Sequence, residues 1–220
     1  MANPKMKYIG DAAMKRLLSR YDCPYPLHVV RIRFWGEIVS PAWNVSPIQT
    51  IENLWPEGLP AFESEREATR FFQALLGLWH NMAKYQDGKP PLKLTPVGPM
   101  QGRDDVRKAA NLRVEELHDG FLQGFTGGQE SIGVPAGVGD ILTRVEKGIE
   151  LLATTRNTFA EPPGPDDDAM VAAFIESFGE IDRCVQGDLN ALAATVKEWR
   201  KDAIAGGQGG FRSASDRNAR

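Results

Sequence analysis

Apolar residues recur along most of the chain at intervals of three and four positions, the period of an α-helix with one buried face. The best-marked run is Ala68, Phe71, Phe72, Leu75, Leu76, Trp79 and Met82. It follows Ser64, and Glu67 three residues later completes a capping-box pattern. The one β-branched cluster, at 29–32, also fits the helical period. The pattern therefore predicts an all-α protein.

The same period and its breaks predict four helices in the first 90 residues. They run from about Lys5 to Ser19, from about Pro26 to Val39, from Pro47 behind a Ser46 N-cap, and from Ser64 to the Gly88-Lys89-Pro90-Pro91 stretch. In the first helix we expect the core positions Tyr8, Ala12, Leu17 and Leu18.

Glycine and proline divide the remainder of the chain. The segment from Pro90 to Gly102 is rich in both and is predicted to be a loop, and a long helix follows from about Arg103 to Phe125. Six glycines between positions 124 and 139 indicate a hinge. We accordingly predict one domain over residues 1–128 and a second unit over 129–205.

That second unit carries two apolar stripes, over 138–159 and 171–199, separated by Pro162-Pro163-Gly164-Pro165. This order predicts an antiparallel helical hairpin. Neither helix can bury its stripe alone, so the hairpin either packs on the first part or pairs with a second copy. Residues 206–220, rich in Gly, Ser and Arg, are predicted to be a disordered tail.

Composition and charge narrow the class of protein. The 26 basic and 29 acidic residues are well mixed and give a net charge of -3, which argues against nucleic acid and anionic membranes as partners. The densest basic group, Lys15, Arg16, Arg20, Arg31 and Arg33, is interpreted as a solvated face. With no apolar run near the ~20 residues of a membrane span and no signal-peptide core, we expect a soluble, cytoplasmic protein.

Candidate chemistry is sparse. Cys23 and Cys184 lack the spacing of a zinc site, and no two histidines lie one helical turn apart. We find no nucleophile motif or phosphate loop, so we expect no cofactor and no metal, and we lean against an enzyme. Polar residues do interrupt the apolar helices at His80, Asn81, Glu116, His118 and Asp119. They offer the alternative of a small-molecule or enzymatic pocket between the two halves.

Two glycines inside the predicted helix 103–125 need a separate explanation. Gly120 and Gly124 each cost up to ~1 kcal/mol relative to alanine unless close packing compensates. Their spacing of one turn predicts a smooth face where another helix approaches. We therefore add both glycines to the candidate contact residues for a ligand or a protein partner.

Four motifs in residues 27–125 resemble those of the YecA/YgfB-type family of small, helical bacterial proteins. They are Phe34-Trp35-Gly36-Glu37-Ile38-Val39, Ser46-Pro47 leading to Leu54-Trp55, Leu78-Trp79-His80-Asn81, and His118-Asp119-Gly120-Phe121-Leu122-Gln123-Gly124. His118 stands where the family usually has tryptophan, and the cysteine-rich metal-binding end of some members has no counterpart here. The resemblance implies an all-α fold and an adaptor or regulatory role through protein contacts, and it lends no enzymatic activity. Our leading hypothesis is therefore a non-enzymatic protein that associates with itself or a protein partner through its hairpin and its glycine face.

Overall fold

The structure, a computed structural model, describes residues 7–42, 46–129 and 132–205. Throughout these ranges the regular elements are helices, and no strand is present. The all-α prediction is confirmed. The tail predicted at 206–220 lies outside the described residues. No helix in the described ranges is long and apolar enough to cross a membrane.

The first part contains α1 (Asp11–Arg20), α2 (Leu27–Val39), α3 (Pro47–Glu52) and α4 (Glu65–Met82), and a 3₁₀ turn (Ala83–Tyr85) extends α4. The next continuous helical stretch consists of α5 (Arg103–Val114), a π-helical segment (Glu115–Leu122) and α6 (Gln123–Thr126). The last two helices are α7 (Val138–Thr158) and α8 (Asp167–Ala205).

Local chemistry sets where the helices begin. The Ser46 hydroxyl accepts the amide of Gln49 at 3.4 Å, and the Ser64 hydroxyl accepts that of Glu67 at 3.2 Å. The Glu67 carboxylate reaches back to the amide of Glu63 at 2.8 Å instead of that of Ser64, a displaced form of the capping box.

The predicted start of the first helix is wrong within the described residues. That helix begins at Asp11, because Gly10 has a φ of 87° and is not helical. Ala12 is exposed, and Met14 together with Leu18 fills the core. The predicted residues Lys5 and Met6 lie outside the described ranges.

Helix α2 is the centre of the first part and packs against the π-helical segment, α6, α4 and α1. Glycines permit this contact. A Cβ on Gly36 would lie 2.6 Å from the carbonyl oxygen of Phe121, and one on Gly124 would lie 2.1 Å from that of Arg33. A Cβ on Gly120 would lie 3.1 Å from Cβ of Ile32. The predicted close approach at Gly120 and Gly124 is confirmed, and the approaching helix is α2 of the same chain.

Helices α7 and α8 pack against each other and against α5. Arg144 binds Asp188 at 2.7 Å, and a Cβ on Gly148 would lie 2.9 Å from Cγ2 of Val185. These two pairs show that α7 and α8 run antiparallel. Their buried apolar residues belong to one continuous cluster with those of α1–α6. The two stripes are thus covered within the chain. The domain division at residue 128 stays a prediction.

The segment between the 3₁₀ turn and α5 is extended and fixed to α8. The Asn190 amide binds both N–H and C=O of Leu92, at 2.7 and 3.2 Å, and Gln186 accepts the amide of Leu94 at 2.9 Å. Four residues span about 6 Å along a helix, and two residues span about 6.6 Å along an extended chain. Gln186 and Asn190, one turn apart on α8, therefore match the spacing of Leu94 and Leu92. Leu92 and Leu94 are thereby buried, and the segment ties the two parts of the chain together.

Candidate anion-binding site

The sequence candidates on α4 have partners close in the chain. His80 is exposed, and its Nδ1 lies 2.7 Å from the carbonyl oxygen of Leu76. Asn81 is half-buried and accepts a hydrogen bond from Lys84 at 3.0 Å. These contacts lie within one helical turn and create no concave site by themselves.

Glu116 is fully buried in a satisfied charge cluster. Arg113 donates to it at 2.6 Å, and the Thr95 amide does so at 2.9 Å. Arg113, itself 2% exposed, also donates to Asp182 of α8. Every charge in this cluster has an opposite partner, which is the condition for a stable buried ion pair. Glu116 therefore joins the π-helical segment to the extended segment and is not available to an outside ligand.

The remaining candidates divide between the surface and the core. His118 and Asp119 lie partly exposed and contact each other at 2.7 Å. Gly120 and Gly124 are buried under α2, so the expectation that they contact a partner is corrected by this internal packing. In the described ranges, no hydrogen bond or ion pair joins His80 or Asn81 to the 116–119 group. The same ranges contain no group of three or more His, Cys, Asp or Glu able to hold a metal ion.

Arg33 presents the unusual chemistry of this fold. Its side chain is buried, with the residue 9% exposed, and its Nη1 has no hydrogen-bond partner. Among the described buried side-chain nitrogen and oxygen atoms, this one alone is unsatisfied. Leaving a buried charged donor unpaired costs more than the ~1–3 kcal/mol of a neutral group. The interpretation of Arg33 as part of a solvated basic face is wrong, because α2 carries it into the core.

Packing fixes both ends of Arg33. Its carbonyl oxygen faces Gly124 of α6, where an added Cβ would lie only 2.1 Å from that oxygen. Its guanidinium lies over the ring of Tyr25, with Cζ 4.8 Å from the centroid. A ring occupies the flat face of a guanidinium and leaves the N–H groups, which lie in its plane, able to donate to an acceptor at the edge.

Arg33 lines a cavity of about 550 Å³, which is within the size range of small-molecule sites. The cavity is lined by Arg33, Glu52, Asn53, Trp55, Pro56, Gly58, Leu59, Gly127 and Gly128. The Trp55 indole is held by its Nε1–H, which donates to the Tyr21 carbonyl at 2.8 Å. One wall is therefore a fixed aromatic side chain.

The turn that follows the C-terminus of α6 also lines the cavity. Gly127 and Gly128 have φ values of 62° and 78°, and their amides donate to the carbonyls of Gly124 and Gln123. This is the Schellman arrangement, which requires positive φ and therefore favours glycine. The turn that ends α6 thus builds part of the site that Arg33 enters from α2.

Two titratable groups lie within electrostatic reach of Arg33. Burial raises the pKa of Glu37, one turn further along α2, while a hydrogen bond from Thr50 and the charge of Arg33 act in the opposite direction. Burial also raises the pKa of the Cys23 thiol, against a hydrogen bond from the Tyr25 backbone and the charge of Arg33. No described ion pair within 4.0 Å joins Arg33 to a carboxylate.

No protein-family model, no curated protein and no solved structure matches this chain. The resemblance to the YecA/YgfB-type family stays a prediction. Two of its motifs, at 34–39 and 118–124, do have a physical role here, because Gly36 and Gly124 form the contact between α2 and α6.

A sequence signal for the Arg33 site existed in α2. The helix is apolar on nearly every side, with Val29, Val30, Ile32 and Phe34 all buried, and such a helix lies inside a protein. Arg33 in this run is buried, whereas the side chain of Arg31 is 30% exposed, so the run indicates a buried charge but does not decide which arginine carries it. The partners that could have identified the site, Trp55 and Gly127, are too far along the chain for any local pattern to reveal.

Proposed function

We propose that the protein binds a ligand with a carboxylate group in the Arg33 cavity. The observation that carries this proposal is that Arg33 is a buried cation that lines the cavity, while no described carboxylate lies within 4.0 Å of it. A carboxylate accepts two parallel N–H bonds from one guanidinium, which makes it a suitable partner for an arginine already stacked on Tyr25.

The cavity lining narrows the ligand further. It contains one arginine and one glutamate, so the charge balance favours a monoanion over a dianion such as a phosphate monoester. Trp55, Pro56 and Leu59 provide apolar surface for the body of the ligand. The proposed ligand is therefore a small apolar or aromatic monocarboxylate.

We propose a binding role without chemistry on the ligand. Among the described lining residues, Glu52 is of a type that can act as a nucleophile or a proton shuttle, and no serine, cysteine, lysine or histidine lines the cavity beside it as a second catalytic group. The alternative predicted from the sequence is a small-molecule pocket near His80, Glu116, His118 and Asp119. The pocket proposed here lies instead around Arg33 and Trp55.

The test is to titrate the protein with benzoate and, separately, with benzamide, and to monitor binding by tryptophan fluorescence. Benzamide has the same size and no charge, so we expect saturable binding of benzoate and at least tenfold weaker binding of benzamide, a difference of about 1.4 kcal/mol. Equal binding of the two compounds, or of neither, would contradict the proposal.

The Arg33→Met variant separates binding from folding. Methionine keeps an unbranched apolar stem and removes the unpaired charge, so we expect unchanged or higher stability together with loss of benzoate binding. Arg107→Met, at a surface arginine 46% exposed, is the matched control and should bind benzoate like the wild type. A large loss of stability in Arg33→Met would indicate a structural arginine instead.

An adaptor role through protein contacts stays a prediction. The apolar stripes of α7 and α8, on which it was founded, are buried inside the chain. The large apolar side chains that remain exposed on these two helices are Leu151 on α7 and, near opposite ends of α8, Met170 and Ile204. Sedimentation of the purified protein over a range of concentrations would test self-association directly.

A further inference from the structure

A cleft between α1 and α4 carries a second group of arginines, separate from the Arg33 cavity. Arg16 and Arg20 on α1 and Arg66 and Arg70 on α4 line it, and its volume is about 440 Å³. Each pair is spaced by four residues, so both members lie on one helix face. Two arginine pairs therefore face one cleft.

This arrangement has no explanation in the stability of the fold. Like charges four residues apart on a helix repel each other. Arg20 has a partner in Glu67, at 2.7 Å. For Arg16, Arg66 and Arg70, the described residues supply no ion pair or hydrogen bond.

The acidic residues of the cleft do not neutralise it. The Glu67 carboxylate is already occupied by Arg20, by the Tyr21 hydroxyl at 2.8 Å and by the Glu63 amide at 2.8 Å. The lining contains four arginines against two glutamates, although the protein as a whole has a net charge of -3. The positive charge is thus local to this cleft, where it attracts anions.

We propose that this cleft binds a phosphate monoester. The monoester carries close to two negative charges near pH 7 and several acceptor oxygens, and the planar forks of arginine fit such oxygens. Tyr21 lies beside the arginines and is partly exposed, so its ring provides aromatic surface for the organic part of the ester. The ester belongs either to a small metabolite or to a phosphorylated side chain.

A nucleic acid fits the cleft less well than a single monoester. A polymer presents repeated phosphates and requires a basic track along its length. Here the arginines are confined to one cleft, with Glu63 and Glu67 in its lining, on a protein of net negative charge.

The experiment titrates the full chain with phenyl phosphate by calorimetry, comparing wild type with Arg66→Gln/Arg70→Gln. The control is Arg107→Gln/Arg156→Gln, which removes the same charge from α5 and α7. We expect the wild type and the control to bind equally, and the cleft variant to bind at least tenfold more weakly. The cleft variant should melt at the same temperature as the wild type or higher, since repulsion is relieved.

Two further ligands define the source and the limits of the site. We compare free O-phosphoserine with a phosphoserine peptide. Equal affinity for the two would support a small ester as the ligand, and higher affinity for the peptide would support a phosphorylated protein. Absence of saturable phenyl phosphate binding, equal affinity of the cleft variant, or tighter arginine-dependent binding of single-stranded DNA would each overturn the proposal.

Discussion

The contact between α2 and α6 makes Gly124→Ala the most informative stability variant. The added Cβ would lie 2.1 Å from the carbonyl oxygen of Arg33 and 2.9 Å from its carbonyl carbon. Both atoms are backbone, so no side-chain rotation relieves the clash. The two helices must separate by at least roughly 1.3 Å to restore an ordinary van der Waals contact, which begins at 3.4 Å.

The size of the effect follows from two opposing terms. Alanine in place of glycine favours the helix by about 1 kcal/mol. Overpacking a fixed contact typically costs about 1–3 kcal/mol and sometimes more, and backbone against backbone lies at the upper end. We expect a net loss of roughly 2 kcal/mol in the free energy of unfolding, and at about 2–4 °C per kcal/mol a fall of roughly 4–8 °C in Tm.

The assay is thermal and urea unfolding of Gly124→Ala beside Gly179→Ala. Gly179 lies within α8, and a Cβ there would meet no atom within 4 Å. The control should therefore gain up to about 1 kcal/mol from helix propensity alone. If Gly124→Ala is as stable as wild type, or gains as much as the control, the close packing of α2 on α6 is refuted.

Two further substitutions test the extended segment and the surroundings of Arg33. Asn190→Ala leaves the backbone N–H and C=O of buried Leu92 without their partner, so we expect the free energy of unfolding in urea to fall by about 2–4 kcal/mol. The control Asn81→Ala breaks a hydrogen bond to exposed Lys84 and should change stability by less than about 0.5 kcal/mol. Similarly small effects for both variants would show that Asn190 does not hold the extended segment. Glu37→Gln tests a pH dependence of stability, because burial raises the pKa of Glu37 in the folded state. The contribution of Glu37 to the free energy of unfolding is therefore fully present below the ordinary glutamate pKa of about 4.3, and it is lost as pH rises through the folded-state pKa. The variant should match the wild type in acid and exceed its stability at neutral pH, and a difference independent of pH would contradict this account.

Much of the fold follows from local sequence. The three- and four-residue period gives most of the helices, and Ser46 and Ser64 mark helix starts where their hydroxyls do cap amides. The close approach at Gly120 and Gly124 was also predictable from the unfavourable helix propensity of glycine. The identity of the approaching helix was not, because α2 lies some ninety residues earlier in the chain.

The site and the extended segment depend on contacts between distant residues. Asn190 reaches Leu92 across 98 positions, and no local pattern distinguishes this asparagine from a surface one. Likewise, the burial of Arg33 is decided by Tyr25, Gly124 and the rest of α2 together. The sequence therefore groups Arg33 with nearby surface basic residues, although its environment differs from that of Arg16 or Arg20.

The most direct test of the Arg33 cavity as a carboxylate site is a crystal structure of the protein soaked with 4-bromobenzoate. Anomalous scattering from bromine locates the ligand independently of the protein density. We predict the bromine in the cavity beside Trp55 and the carboxylate within about 3 Å of the Arg33 guanidinium. Bromobenzoate bound elsewhere, or bound in the cavity with its carboxylate turned away from Arg33, would contradict the account.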